Sequence, residues 1–469
     1  MATAPGAARV NMSFIALIVA AATIGGFMFG YDSGVINGTQ KGLESAFSLS
    51  KVGIGFNVGA ILIGSSIGAF TAGKLADIIG RRSVMMLAAV LFLISAGLAG
   101  AADGSTMFII ARIIGGLGVG AASVISPVYI SEVTPASIRG RLSSVQQVMI
   151  ITGLTGSFVA NALLARYAGD STAPLWLDYP AWRWMFWLQA IPAAVYFLAL
   201  LGIPESPRYL MVKGYEDRAR VVLAKLFGDV EADRKVDEIR ASLAADHHKP
   251  KLSDLLDKAG KVRPIVWTGI GLAVFQQFVG INVVFYYGAT LWQAVGFTEA
   301  QGLETNILSG VISIGACLLT IGLVDKIGRK PLLLFGSAGM AVTLATVAWA
   351  FSTAVTVDGH VSLPGNNGVI ALVAANLYVF AFNLSWGPIM WVMLGEMFPN
   401  QIRGSGLAIA GLFQWLANFA VSVSFPSFSQ PPALSYAYIG YAVFAAISFF
   451  FVQKMVNETK GVELENMAG

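Results

Sequence analysis

The chain has 469 residues, of which 56% are hydrophobic and only 12% charged. A soluble domain carries about 25% charged residues, so a soluble enzyme, a disordered protein and a nucleic-acid binder are excluded first. The net charge of +4 at pH 7 is modest and says little about partners until the charges are placed along the chain.

The first element is an apolar run from Met12 to Phe29, preceded by one basic residue, Arg9. The chain behind it is just as apolar, so the run reads as a retained membrane helix and not as a cleaved signal. A bilayer-spanning helix needs about 20 mostly apolar residues. Twelve such segments follow one another, centred near Ala22, Ile63, Leu91, Gly118, Thr152, Ala194, Phe275, Gly315, Val342, Val379, Leu412 and Phe444. The longest polar stretch, Glu205 to Arg263, divides them six and six. Its periodic pieces, Tyr215 to Phe227 and Ala232 to Ala245, predict short amphipathic helices outside the membrane. The expected fold is an all-α membrane protein with twelve transmembrane helices in two six-helix halves. The expected division is residues 1–203, a cytoplasmic linker over 204–263, a second half over 264–456 and a cytoplasmic tail over 457–469. With both termini in the cytoplasm, most of the 30 Lys and Arg residues fall on that side. Lys41, Lys51, Arg166 and Arg183 fall opposite, and Arg112 falls inside a span.

The single cysteine, Cys317, allows no intrachain disulfide and no cysteine metal site. His247, His248 and His360 all fall in polar segments. No cofactor or metal is expected, and no nucleophile–base pair points to an enzyme. The glycine run after Arg112 superficially spells a dinucleotide fingerprint. It stands in an apolar helix, where Gly116 and Gly120 are spaced for close helix packing instead.

Loop motifs recur in the two halves. Asp77-x-x-Gly-Arg81 is matched by Asp325-x-x-Gly-Arg329, and Glu132-x-x-Pro-x-x-Ile-Arg139-Gly by Glu396-x-x-Pro-x-x-Ile-Arg403-Gly. A third pair is Pro204-Glu205-Ser206-Pro207-Arg208 and Asn457-Glu458-Thr459-Lys460-Gly461. Such a parallel repeat is the plan of a rocking transporter. The expected cytoplasmic latch pairs Asp77 with Arg139 or Arg141 and Asp325 with Arg403. Glu132 and Glu396 are expected to cap helices or to pair with Arg81 and Arg329.

These loops, with Gly30-Tyr31-Asp32, the Arg112 glycine run, Gln276-Gln277-Phe278-Val279-Gly280-Ile281-Asn282 and Gly387-Pro388-Ile389-Met390-Trp391, resemble the sugar porter family of the major facilitator superfamily. The resemblance covers nearly the whole chain and is nearest to bacterial xylose– and glucose–proton symporters. It implies inward movement of a monosaccharide with a proton by alternating access through the plasma (bacterial inner) membrane, with no obligate protein partner. A uniporter using the same cavity, or a non-transporting sugar receptor, is the alternative.

Asp32 and Arg112 are the ionisable residues well inside predicted spans, where a charge must be paired or hydrated. They read as a static pair or as a proton switch, and the resemblance implies the coupling pair. A neutral sugar needs uncharged amides and aromatic planes. Mid-span residues of this kind are Gln147, Gln276, Gln277, Asn282, Asn383, Trp391, Gln414, Trp415 and Asn418. Gln276 and Asn282 point apart on an ideal helix, so a break is expected near Gly280, with a similar one at Pro388. By resemblance the sugar contacts are Gln147, Gln276, Gln277, Asn282, Asn383, Trp391 and Gln414, with Phe29 and Trp415 lining the cavity. Tyr286 and Tyr287 match an extracellular gate. Two positions depart from the family: Ser313, where many members have Asn, and Asn383, where animal facilitators have an acidic residue.

Overall fold

The computed structural model describes residues 10–135, 139–245, 252–257, 260–399 and 402–460. Twelve helices are long and apolar enough to cross a membrane. Spans 1 to 6 are Met12–Gly38, Lys51–Ile79, Arg81–Ala101, Ser105–Val133, Ser144–Ala168 and Ala181–Leu201. Spans 7 to 12 are Pro264–Ala294, Glu299–Ile327, Arg329–Ser352, Asn367–Met397, Arg403–Phe428 and Ala433–Met455. Each centre expected from the sequence falls inside its span. Three short helices, Pro207–Val212, Glu216–Phe227 and Asp229–Ala245, follow span 6 and mark what we call the linker end of the bundle. At the opposite, far end, Val355–Val357 pairs with His360–Ser362 as a small antiparallel hairpin between spans 9 and 10.

Glycine sets how closely the spans approach. A Cβ on Gly116 would overlap the Ile61 carbonyl oxygen of span 2, and one on Gly120 would overlap that of Ser65. Spans 2 and 4 therefore touch backbone to backbone, as small-residue seams allow in membrane helices. Gly30 and Gly153 bring spans 1 and 5 together in the same way.

Three spans are broken, each for an identifiable reason. Span 7 stops at Phe278 and restarts at Ile281, with Gly280 at φ 82° between the two pieces. Only glycine adopts that conformation without strain. Span 10 stops at Leu384 and restarts at Trp386. Pro388 has no N–H, and its ring excludes the carbonyl four residues back, which is that of Leu384. The freed Leu384 oxygen accepts a hydrogen bond from Thr320 Oγ1 of span 8 at 2.8 Å. Pro192 does the same to span 6, which is interrupted between Leu188 and Ala190. Gln189 sits at that interruption.

The glycine seam makes a stability prediction. Gly116→Ala or Gly120→Ala forces two backbones apart and should cost about 1–3 kcal/mol, lowering the thermal midpoint in detergent. Gly97→Ala, where an added methyl meets nothing within 4 Å, should not lower it.

Candidate functional site

Asp32 and Arg112 are both completely buried. Arg112 Nη1 donates to Asp32 Oδ1 at 2.6 Å, and Nη2 donates to the Asp32 carbonyl at 3.0 Å. The second carboxylate oxygen, Oδ2, has no partner. Gln189 points its amide at the same carboxyl from the break in span 6, but Oδ2 and Gln189 Nε2 do not close to a full hydrogen bond. Gly115 leaves room for the carboxyl: a Cβ there would stand 2.7 Å from Oδ2. The Arg112 guanidinium lies 5.8 Å above the Phe186 ring. One carboxylate oxygen is thus held by Arg112, and the other lacks a full hydrogen bond.

The opposite half holds a cluster of amides. Gln276 Nε2 donates to the carbonyls of Trp386 (3.0 Å) and Gly387 (3.2 Å), in the first turn after the span 10 break. Gln276 Oε1 accepts from Gln277 Nε2 at 3.1 Å and from Gln414 Nε2 at 3.4 Å. Asn282 Nδ2, beyond the span 7 break, donates to Gln277 Oε1. The turn at Gly280 is what brings Asn282 back toward Gln277. Gln414 Oε1 remains buried and unpartnered. Four of the expected sugar contacts are therefore one connected network with spare hydrogen-bonding capacity.

The other expected contacts fall elsewhere. Phe29 and Trp415 face each other across the two halves, with ring centroids 6.2 Å apart. Gln147 is half-buried in span 5, and Trp391 is 40% exposed in span 10. The structure does not bring Asn383 into the cluster. Its Nδ2 donates to Ser313 Oγ at 3.0 Å and to the Val379 carbonyl at 2.9 Å. Asn383 and Ser313 are thus bonded to each other. Tyr286 lies beside Ser33 of span 1 and receives a 3.5 Å hydrogen bond from Asn418 Nδ2. Tyr287 donates to the Ser422 carbonyl at 2.6 Å.

At the linker end the repeated motifs build the same network twice. Arg81 grips both oxygens of Glu132 and donates to Asp77 at 3.0 Å. Arg329 grips both oxygens of Glu396, with Asp325 at 3.1 Å. Asp77 and Asp325 therefore pair one helical turn along their own chain segment. Asp325 does not pair with Arg403, whose Nη2 donates instead to the Phe398 carbonyl at 3.2 Å. The side chains of Arg139 and Arg141 lie outside the described residues.

The sequence assigned no role to Glu205 and Glu458. Glu205 accepts the backbone N–H groups of Arg81, Arg82 and Ser206. Glu458 accepts those of Arg329, Lys330, Thr459 and Lys460. Each caps the first turn of span 3 or span 9. Burial alone would raise the Glu458 carboxyl, but its four backbone donors outweigh that and hold it below the usual range. Ser206 and Thr459 donate to Glu132 and Glu396 respectively. Each network stays within its own half.

Every hydrogen bond and ion pair found between described residues of the two halves lies toward the far end. Asn37, Gln40, Lys41 and Ser171 supply the first half's side, and span 7, Glu299 and Asn306 the second's. The structure is thus closed at the far end. The sequence assigned no contact between the halves to Asn37, Gln40, Ser171, Glu299 or Asn306, because nothing in a lone polar residue marks its partner in the other half.

Gln276→Ala should weaken sugar binding and also lower stability by about 1–3 kcal/mol, because the buried Gln277 and Gln414 amides lose the oxygen that accepts from them. Asn282→Ala should weaken binding with a smaller loss of stability. Calorimetric titration and thermal melting of the two variants check the split.

Residues 18–469 match the family described as "Sugar (and other) transporter". The "Glucose transport protein" of Synechocystis sp. is 48% identical over 99% of this chain and 99% of its own. The "D-xylose-proton symporter" of Escherichia coli strain K12 is 39% identical over 98% of this chain and 96% of its own. The inward open conformation of the xylose transporter XylE from E. coli superposes with a TM-score of 0.81 at 38% identity, covering 97% of this chain and 99% of that one. A twelve-helix bundle with a repeated half, broken spans at an amide cluster and these relatives places the chain in one class: it is a multi-pass membrane protein of the sugar transporter family, with the major facilitator fold.

Proposed function

We propose that this chain imports a monosaccharide together with a proton by alternating access. The observation that carries the reading is the buried Asp32 carboxyl, held by Arg112 through one oxygen while the other meets only the Gln189 amide, short of a full hydrogen bond. An unpaired carboxylate oxygen in so apolar a setting is costly. Protonation relieves it, and so does a rearrangement that brings in a donor or water. Proton loading at Asp32 and the conformation of span 1 are therefore linked. The amide network of Gln276, Gln277, Asn282 and Gln414 is the sugar site, with Phe29 and Trp415 as apolar walls and Gln147 and Trp391 at its rim. Tyr286 and Tyr287 form the far-end gate. The far end faces outward and the linker end faces the cytoplasm with both termini, the orientation the basic residues favour. The likeness to a protein named for xylose–proton symport supports the coupling.

Moving one charge through the membrane potential is worth about 2.3 kcal/mol per 100 mV, enough for roughly fifty-fold accumulation of a neutral sugar. Asp32→Asn has no proton to release. In proteoliposomes with an imposed inward proton gradient, it should lose uphill accumulation of labelled glucose or xylose while keeping exchange of labelled sugar between the two sides. Accumulation by the Asn variant would remove Asp32 from coupling. If the wild type exchanges sugar but never concentrates it, facilitated diffusion replaces symport.

A further inference from the structure

Span 1 ends in a single 3₁₀ turn, Ile36–Gly38. The Val35 carbonyl freed there accepts a hydrogen bond from Asn161 Nδ2 of span 5 at 3.0 Å. That turn drives Asn37, 1% exposed, out of the first half and into span 7. Asn37 Nδ2 donates to the Phe285 carbonyl at 2.8 Å, and Asn37 Oδ1 accepts from the Ala289 N–H at 2.9 Å. Positions 285 and 289 are four apart, so this carbonyl and this N–H are the two ends of one rung of an α-helix. One carboxamide from span 1 engages both ends of that rung. Asn306 Nδ2 of span 8 donates to the same Asn37 oxygen at 2.9 Å. Gly288 makes the space: a Cβ there would overlap Asn306 Oδ1 and stand 3.2 Å from Asn37 Nδ2.

We propose that Asn37 is the clip that holds the far end closed, its carboxamide bridging the Phe285 carbonyl and the Ala289 N–H of span 7 and released when the two halves part there. The rung suits a switch because neither position leaves a backbone group stranded. With Asn37 in place, its amide bonds both the carbonyl and the N–H. With Asn37 withdrawn, the two satisfy each other. A bistable element needs two such satisfied arrangements. The neighbouring Lys41–Glu299 pair is a poor substitute, since the Lys41 side chain is 48% exposed and a pair so placed is worth little. The clip deepens the alternating-access reading above and rests on it.

The test is the separation of spin labels at the far end, on Asp103→Cys and Asn366→Cys in a Cys317→Ala background. One net hydrogen bond shifts an equilibrium roughly two- to twelve-fold. Asn37→Ala removes several, and the ratio of closed to open far end should fall at least about tenfold. Asn37→Asp sets a carboxylate against the Phe285 carbonyl and should open the far end at least as far as Asn37→Ala. Gly288→Ala reaches the clip from the other half and should reproduce the Asn37→Ala distribution, with no further change in the double variant. Should Asn37→Ala fail to fold, Asn37→Asp and Gly288→Ala carry the test. Unchanged distances in the folded variants, or shifts from the two positions that simply add, would overturn the clip. Failure of the wild type to exchange sugar would instead overturn alternating access, a result the distance measurement does not share.

Discussion

A carboxylate and a guanidinium buried together inside an apolar helix bundle impose the conditions that the surrounding structure meets. Each ion costs several kcal/mol to remove from water, and only close, well-oriented pairing recovers that cost. Arg112 meets the condition by holding both the carboxylate and the main-chain carbonyl of Asp32. The neighbours are shaped to fit: Gly115 has no side chain to collide with the carboxyl, and Phe186 presents its ring to the guanidinium. Span 6 breaks where Gln189 faces the pair. Pairing is nevertheless incomplete, because Asp32 Oδ2 is left over. A fully satisfied pair would be a static brace. One with a spare oxygen has room for a further donor.

The same rule governs the broken spans. In a membrane every backbone polar group must find a partner within the protein. Here neighbouring side chains supply them. Thr320 serves the end of span 10's first piece and Asn161 the end of span 1, while Gln276 and Asn37 add side-chain bonds to the backbones of spans 10 and 7. Each break thereby ties two or three spans together. Gln276 shows the consequence: one amide bonds the backbone of span 10 while its oxygen anchors Gln277 and Gln414. A ligand that competes for these amides also acts on the helix they hold.

The two ends of the bundle are built differently. At the linker end, Glu132 and Glu205, and their repeats Glu396 and Glu458, hold helices of the same half together. These charge-assisted bonds stiffen each half. At the far end, buried neutral amides and the half-exposed Lys41–Glu299 pair join the halves. Strong ionic contacts within rigid bodies and weaker contacts between them suit two halves that move against each other.

The sequence alone determined the twelve spans, the six-and-six plan and the breaks at Gly280 and Pro388. Long apolar runs, a positive-φ residue type and a missing N–H are local properties that need no partner to be read. It also marked Asp32, Arg112 and the glutamines of span 7 as unusual, since a polar side chain in an apolar helix stands out whatever it touches. Tertiary structure decided what each one bonds. Asn383, chosen as a sugar contact, is instead committed to Ser313. Asp325 reaches Arg329, four residues on across the turn at Gly328, and not Arg403 of span 11. Asn37, Glu205 and Glu458 acquire their roles only from backbone groups more than a hundred residues distant. A main-chain N–H or carbonyl has the same chemistry at every position, so no residue type announces which one will be left free for a side chain to find.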